Sequence, residues 1–321
     1  MHYTRLGATD LNVSRICFGC WQLSPAWWGE VPLEPWSAAV KAALDCGINF
    51  IDTADAYGDG HAETELGKLL QRERLRDRFV LATKFYWNFS AGPGRHPDTT
   101  RDYILRACEA SLRRLQTDRI DLYQIHAWDA LTRPAEVAEA FAQLKREGKV
   151  RWIGVSNLNP EQMDLYGAHF DVSCLQPPYS LLAREIEARE LPYCLRKNIG
   201  VINYSTLFRG LLGGRYTPDS ALTGGRAQGP LFHGTGLQAV LAAVDEAKVI
   251  AGELGLSMAE LAVRWVLSQP AITSAIVGVK KPEHITGVVK AADGVLPTKL
   301  WHQLGNRFSQ ARAEALATVE K

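Results

Sequence analysis

The chain has 321 residues, of which 46% are hydrophobic and 22% charged, with a formal net charge of +1. That balance suits a soluble globular protein and leaves no basic surplus for nucleic acid or for an anionic membrane surface. Met1-His2-Tyr3-Thr4-Arg5 lacks a secretory pattern, no apolar run nears the roughly 20 residues that cross a bilayer, and the cysteines are too few for a disulfide scaffold. The expected setting is the cytoplasm, with the thiols reduced.

Residues 3–14 predict a hairpin that turns at Gly7-Ala8-Thr9-Asp10. Apolar runs of strand length follow at 16–19, 48–52, 79–84, 121–126, 152–155, 172–175, 200–204 and 274–277. They alternate with helical patterns near 36–46, 62–72, 99–115, 134–147, 160–167, 190–197, 237–254 and 283–291. Strand–helix alternation repeated eight times predicts an α/β fold, one parallel (β/α)8 barrel filling residues 1–321 as a single domain. Two further helices are expected. Ser257-Met258-Ala259-Glu260 is a capping box that opens one running to Gln269, and the other covers 297–319 at the C-terminus. Residues 209–236 are glycine-rich and aperiodic, which predicts a functional or mobile loop.

Three of the predicted strands end in a polar residue: Asp52, Lys84 and His126. Tyr57 lies just past the first, in Asp52-Thr53-Ala54-Asp55-Ala56-Tyr57-Gly58. In a parallel barrel, strand C-termini share one rim, and active sites are built there. A tyrosine beside a lysine can donate a proton, because the ammonium stabilises phenolate and is expected to lower the phenol pKa. Cys17-x-x-Cys20 has no second cysteine pair to complete a metal site, so it reads as a strand end with two thiols facing different ways. No metal is expected. Gly58-Asp59-Gly60 lacks the third glycine of a Rossmann fingerprint, and no Walker motif is present.

Taken in order, these stretches resemble the aldo-keto reductases, NAD(P)H-dependent enzymes built on a TIM barrel. The resemblance covers nearly the whole chain. It rests on Phe18-Gly19-Cys20-Trp21, Asn49 to Gly58, Glu63-Thr64-Glu65-Leu66-Gly67 and Ala82-Thr83-Lys84. Asp121 to His126, Gly148 to Asn157, Gln176 and Asn203 to Leu207 complete it. It implies a barrel closed below by the hairpin, and the reversible reduction of aldehydes or ketones to alcohols. The implied cofactor is NADPH (NADP+), with NADH possible, and the partner a small carbonyl or alcohol. The protein is expected to be a monomer or a homo-oligomer.

The resemblance also assigns roles. Tyr57 would be the general acid, Lys84 its cationic neighbour, Asp52 the partner of Lys84, and His126 the residue orienting the carbonyl. Ser156, Asn157 and Gln176 would hold the nicotinamide carboxamide, and Tyr204 would stack beneath the ring. Ser205, Leu207 and Gly210 would line the pyrophosphate path. The glycines of the 209–236 loop, read by themselves, predict that it closes over the cofactor and brings Arg226 to the pyrophosphate. The adenosine end would fall to Gly278, Lys280, Lys281 and His284. Here the chain departs from many relatives, which place an arginine at His284 and an asparagine at Val288. The two lysines offer replacement charge for a 2′-phosphate. Trp21, Trp87 and Trp128, with Trp27, Trp28 and Tyr86 nearby, would wall the mouth for a substrate with a flat or apolar part. An alternative within the same resemblance is a cofactor-binding regulatory subunit of a potassium channel, with residual reductase activity. The start of the chain almost directly at the hairpin favours the enzyme.

Overall fold

The computed structural model describes residues 1–92, 94–220, 222, 224 and 228–317. Strands β1 (Tyr3–Arg5) and β2 (Asn12–Ser14) pair antiparallel, as the hairpin expected at the N-terminus. Eight parallel strands then close on themselves: β3 (Ile16–Gly19), β4 (Phe50–Asp52), β5 (Val80–Phe85), β6 (Ile120–Ile125), β7 (Val150–Ser156), β8 (Cys174–Gln176), β9 (Gly200–Asn203) and β10 (Ile272–Gly278). The last strand pairs with β3, so no edge is left. The surrounding helices are α1 (Pro25–Trp28), α2 (Leu33–Asp45), α3 (His61–Arg72), α4 (Arg101–Leu115), α5 (Pro134–Arg146), α6 (Pro160–Gly167), α7 (Glu190–Lys197), α8 (Gly234–Glu253), α9 (Met258–Leu267), α10 (Pro282–Thr286) and α11 (Thr298–Ala317).

Strands covered on both faces need apolar side chains on both, and the core divides accordingly. One cluster fills the lower bore. Leu6, Leu11 and Val13 of the hairpin meet Cys17, Phe50, Ala82, Leu122 and Ile202 of the strands. The hairpin is thus a plug, and its seating needs two glycines. A Cβ on Gly7, whose φ is +53°, would lie 2.4 Å from the Gly200 backbone nitrogen, and one on Gly200 would lie 2.5 Å from Leu6. Polar ties fix the plug from outside. Asp10 accepts from Arg151 and from the Trp152 indole, and Arg151 also donates to Asp121, which takes a further hydrogen bond from Arg76. The second cluster is the sleeve between barrel and helices, and includes Trp36, Phe141 and Trp265.

The capping box at Ser257 and Glu260 forms as expected and starts α9. Asn159 and Gln162 make a second one at α6. Cys17 faces the bore while Cys20 faces the sleeve, so the two thiols point apart. Some expected boundaries need correction. The strand expected over 48–52 begins only at Phe50, because Asn49 bonds the hairpin at Asn12 and Ser14. The helix expected over 283–291 breaks at Gly287, and a 3-10 turn at Val289–Ala292 follows. The segment 209–236 is partly regular, with 3-10 turns at Phe208–Gly213 and Pro230–Phe232 and α8 already begun at Gly234. Among the described residues, no helix is long and apolar enough to cross a membrane.

Candidate active site

Parallel register brings the polar strand ends together at one rim. Asp52 pairs with Ala82, and Lys84 with Gln124. His126 lies one residue past β6, its backbone N–H donating to the Phe85 carbonyl. Tyr57 is carried by the loop between β4 and α3, where Thr53 N–H donates to Ala82, Asp55 N–H to Lys84, and Ala62 N–H to the Tyr57 carbonyl.

Lys84 is fully buried. Its ammonium donates to Asp52 Oδ2 at 2.7 Å, to the Thr53 carbonyl at 2.8 Å and to the Tyr57 hydroxyl at 3.3 Å. An ammonium has three N–H groups, and each is committed. Because Tyr57 accepts from Lys84, its own proton must point elsewhere, and the residue lines the cavity described below. The other carboxylate oxygen of Asp52 accepts from Gln176 Nε2 at 2.9 Å and from Gln124 Nε2 at 3.3 Å. The buried charge pair therefore has the extra hydrogen bonds that such pairs require.

The pKa shifts sort the groups. Burial pushes the Tyr57 phenol up to about 12, against the lowering pull of Lys84. That corrects the expectation of a lowered phenol pKa, since burial disfavours phenolate more than the ammonium favours it. His126 is lowered to about 3, by burial first and then by the charges of Lys84 and Arg95. Its imidazole is neutral at physiological pH and carries one N–H donor. Its ring stands edge-on to Tyr57, with centroids 6.1 Å apart.

The His126 shift makes a prediction about stability. A histidine whose folded pKa lies below its unfolded value near 6.5 keeps its stabilising contribution above that pH. The contribution is lost as pH falls from about 6.5 toward 3, because the unfolded chain binds the proton first. Between pH 7 and pH 5 this group alone should remove about 2 kcal/mol. Urea unfolding of wild type and His126→Asn at both pH values checks it. An equal loss in the two proteins would refute the assignment.

Beside the tetrad opens a cavity of about 580 Å³. It is lined by Trp21, Asp52 and Tyr57, by Tyr204, Ser205, Leu207 and Gly210, and by Gly278, Lys280 and His284. Expected residues from strands β3, β9 and β10 thus meet in one wall. Others take different positions. Ser156 donates to the Gln176 carbonyl at 2.8 Å, and the Gln176 amide is spent on Asp52 and Gln124. Asn157, at φ +61°, donates to the His126 carbonyl and accepts from the Tyr204 hydroxyl at 2.9 Å, tying three rim segments together. Lys281 is half exposed, and its ammonium is 3.9 Å from Glu283. Trp21 packs between Trp27, Trp28 and Tyr57. Trp128 instead leans on Tyr166, away from the cavity wall. Trp87 is likewise outside that wall and lies under the Arg95 guanidinium. Arg226 lies outside the described residues.

Sequence reading missed Gln22, Arg209, Arg215, Tyr216 and Ser257, all of which line the cavity. Gln22 lies flat across Gly278. A Cβ there would be 1.9 Å from its amide nitrogen, and its buried Oε1 has no hydrogen-bond partner. Its only signal was its place just past the end of β3. Around His284 the cavity is cationic. His284 is held below its ordinary pKa by burial and then by Arg215 and Lys281, with Lys280 adding to this against Glu283. This group of cations suits an anionic ligand. A dinucleotide fits that donor set.

The Aldo/keto reductase family model matches residues 15–306. The chain is 40% identical over 286 residues to an aldo-keto reductase of Bacillus subtilis named YhdN, covering 88% of this chain and 86% of that one. It is 31% identical to an NADH-specific methylglyoxal reductase of Escherichia coli, covering 89% and 92%. A solved glycerol dehydrogenase from Gluconobacter oxydans superposes with a TM-score of 0.87 at 34% identity, covering 96% of this chain and 95% of that one. A closed parallel barrel with a cavity of about 580 Å³ among its strand ends places the chain in the class of barrel proteins that hold a ligand at that rim. Within that class, the chain belongs to the aldo/keto reductase family, and is a nicotinamide-dependent oxidoreductase acting on carbonyl and alcohol groups.

Proposed function

We propose that residues 1–321 act as one domain that reduces aldehydes or ketones with NADPH, Tyr57 delivering the proton. The observation that carries this reading is the saturation of Lys84. With every N–H of the ammonium committed, the Tyr57 oxygen accepts and its proton is directed onward. When bound, the nicotinamide would supply a hydride to the carbonyl carbon. The carbonyl oxygen gains negative charge in that step, and a donor placed there is worth most in the transition state. Tyr57 gives the proton to the oxygen, and Lys84 stabilises the phenolate left behind. Asp52 keeps Lys84 charged inside the barrel. The neutral imidazole of His126 orients the carbonyl by donating one hydrogen bond. Tyr204, which lines the cavity with its hydroxyl anchored on Asn157, would stack beneath the nicotinamide. Trp21 closes the mouth beside Tyr57. Depletion of NADPH with a panel of simple aldehydes tests the reading. Cofactor binding without turnover would favour a regulatory subunit instead.

The choice of NADPH rests on charge. The relatives do not fix it, since one is named NADH-specific. The support is the group of cations around His284, where a 2′-phosphate would find Arg215, Lys280 and Lys281. Lys280 also donates to the Trp28 carbonyl at 3.0 Å. Charge-assisted hydrogen bonds to phosphate contribute about 1.5–3 kcal/mol each. Replacing both lysines by alanine should therefore weaken NADPH binding at least about tenfold at low salt, with little effect on NADH. A fluorescence titration with each cofactor reads this out. Equal losses for the two would show that the lysines serve another purpose.

A further inference from the structure

The rim on the side of β5 and β6 holds a charge that the chemistry above does not use. After β5 the chain runs out as Tyr86-Trp87-Asn88 and returns antiparallel, Trp87 bridging to Pro97 and Asn88 N–H donating to the His96 carbonyl. This narrow loop carries Arg95. Its guanidinium sits over the Trp87 ring, 5.8 Å from the centroid, while the side chain is exposed. Trp87 is itself fixed. Its carbonyl accepts from the Tyr103 hydroxyl, and its ring meets Tyr86 edge-on at 4.6 Å.

Among the described residues, Arg95 forms no ion pair. The carboxylates near this rim are spoken for. Asp98 accepts from Asn88 and from the backbone and hydroxyl of Thr100. Asp129 accepts from Thr99, Thr132 and the Leu131 N–H. Lys84, near the end of β5, is neutralised by Asp52 in the barrel interior. The loop therefore presents a guanidinium stacked on a fixed indole, one strand end away from His126. The field of Arg95 reaches His126, since it is one of the charges that keep that imidazole neutral.

We infer that Arg95, held on Trp87, is the specificity residue for carbonyl substrates that bear a carboxylate beyond a flat or apolar spacer. The inference rests on the reading of Tyr57 and His126 as the reducing end of the site. An aldehyde held there would extend its remainder toward the loop, where the indole offers a face to a flat spacer and the guanidinium a fork to the anion.

The test uses three aldehydes of similar shape: 4-carboxybenzaldehyde, its methyl ester, and the 4-trimethylammonium analogue. At low salt, wild-type kcat/KM should be at least tenfold higher for the carboxylate than for the ester, and lowest for the cation. Arg95→Gln should remove the carboxylate's advantage and leave the ester within about twofold, because an exposed side chain carries little of the fold. Arg95→Lys should keep part of the advantage. Added potassium chloride should shrink it in wild type, since exposed charges are screened. Equal turnover of carboxylate and ester by wild type would overturn the inference while leaving the reductase intact. Equal losses on all three aldehydes in Arg95→Gln would also overturn it, making Arg95 a prop for Trp87. If wild type reduced none of the three, the reading of the catalytic end would fall, and this inference with it.

Discussion

Tyr57→Phe should lower carbonyl reduction by about two to four orders of magnitude, the usual scale of general acid catalysis. The ring stays, so its edge-on contact with His126 and its place beside Trp21 survive. Only the hydroxyl is lost, and with it one of three acceptors of the Lys84 ammonium. Cofactor affinity should change little, because the phenol proton serves the substrate oxygen. The effect should fall on kcat and kcat/KM together, as for an interaction made in the transition state. The pH profile sharpens this. Reduction needs the neutral phenol, and burial raises Tyr57 to about 12, so the acid form persists across the physiological range. His126, lowered to about 3, contributes no limb near the ordinary histidine value. The wild-type reduction rate should therefore be flat from about pH 5 to 8 and decline only as pH climbs toward the phenol's pKa. Near-wild-type turnover by the variant, or a limb centred near pH 6.5, would remove Tyr57 and His126 from their roles.

The parts of this molecule that could be read in the sequence are those with a local signal. Each strand is a short apolar run, and each tetrad residue ends one or follows it closely, so the rim could be listed before it was seen. The hairpin announced itself by its turn, and α9 by its capping box. Less legible were features set by partners far away in the chain. Asn49 reads as the start of a strand, yet its side chain belongs to the hairpin. The period of the helix after β10 runs on past Gly287, but the backbone turns there, with Val288 at φ −128°. The amide of Gln176 was expected to face the cofactor. The register of β8 against β7 also brings its nitrogen to Asp52, a tie the sequence does not signal. Arg209, Arg215 and Gln22 sit in aperiodic loops, and only closure of the barrel brings them to one wall. Trp21, Trp87 and Trp128 all follow strand ends in the sequence, and only the ring contacts separate them. Trp21 touches Tyr57, Trp87 carries Arg95, and Trp128 packs on Tyr166.

Lys84→Met should destabilise the fold by about 3–5 kcal/mol, because it leaves the buried Asp52 carboxylate without its cation. Asp52→Asn alone should also cost stability, leaving the Lys84 ammonium with only the Thr53 carbonyl and the Tyr57 hydroxyl. The double variant separates structure from chemistry. In it no buried charge is left unpaired, and the asparagine side-chain oxygen can still accept from Gln124 and Gln176, as Asp52 Oδ1 does. Replacing a buried ion pair by neutral groups is often close to neutral for stability. The double variant should therefore unfold within about 1–2 kcal/mol of wild type, a coupling that a double-mutant cycle in urea measures. Its activity should not return. Without the ammonium, phenolate in a buried site has nothing to stabilise it, and proton transfer from Tyr57 becomes more costly. Stability recovered with turnover still lost would mean that the pair is kept for the reaction. If turnover returned along with stability, Lys84 and Asp52 would be a structural ion pair, and the phenol would work without them.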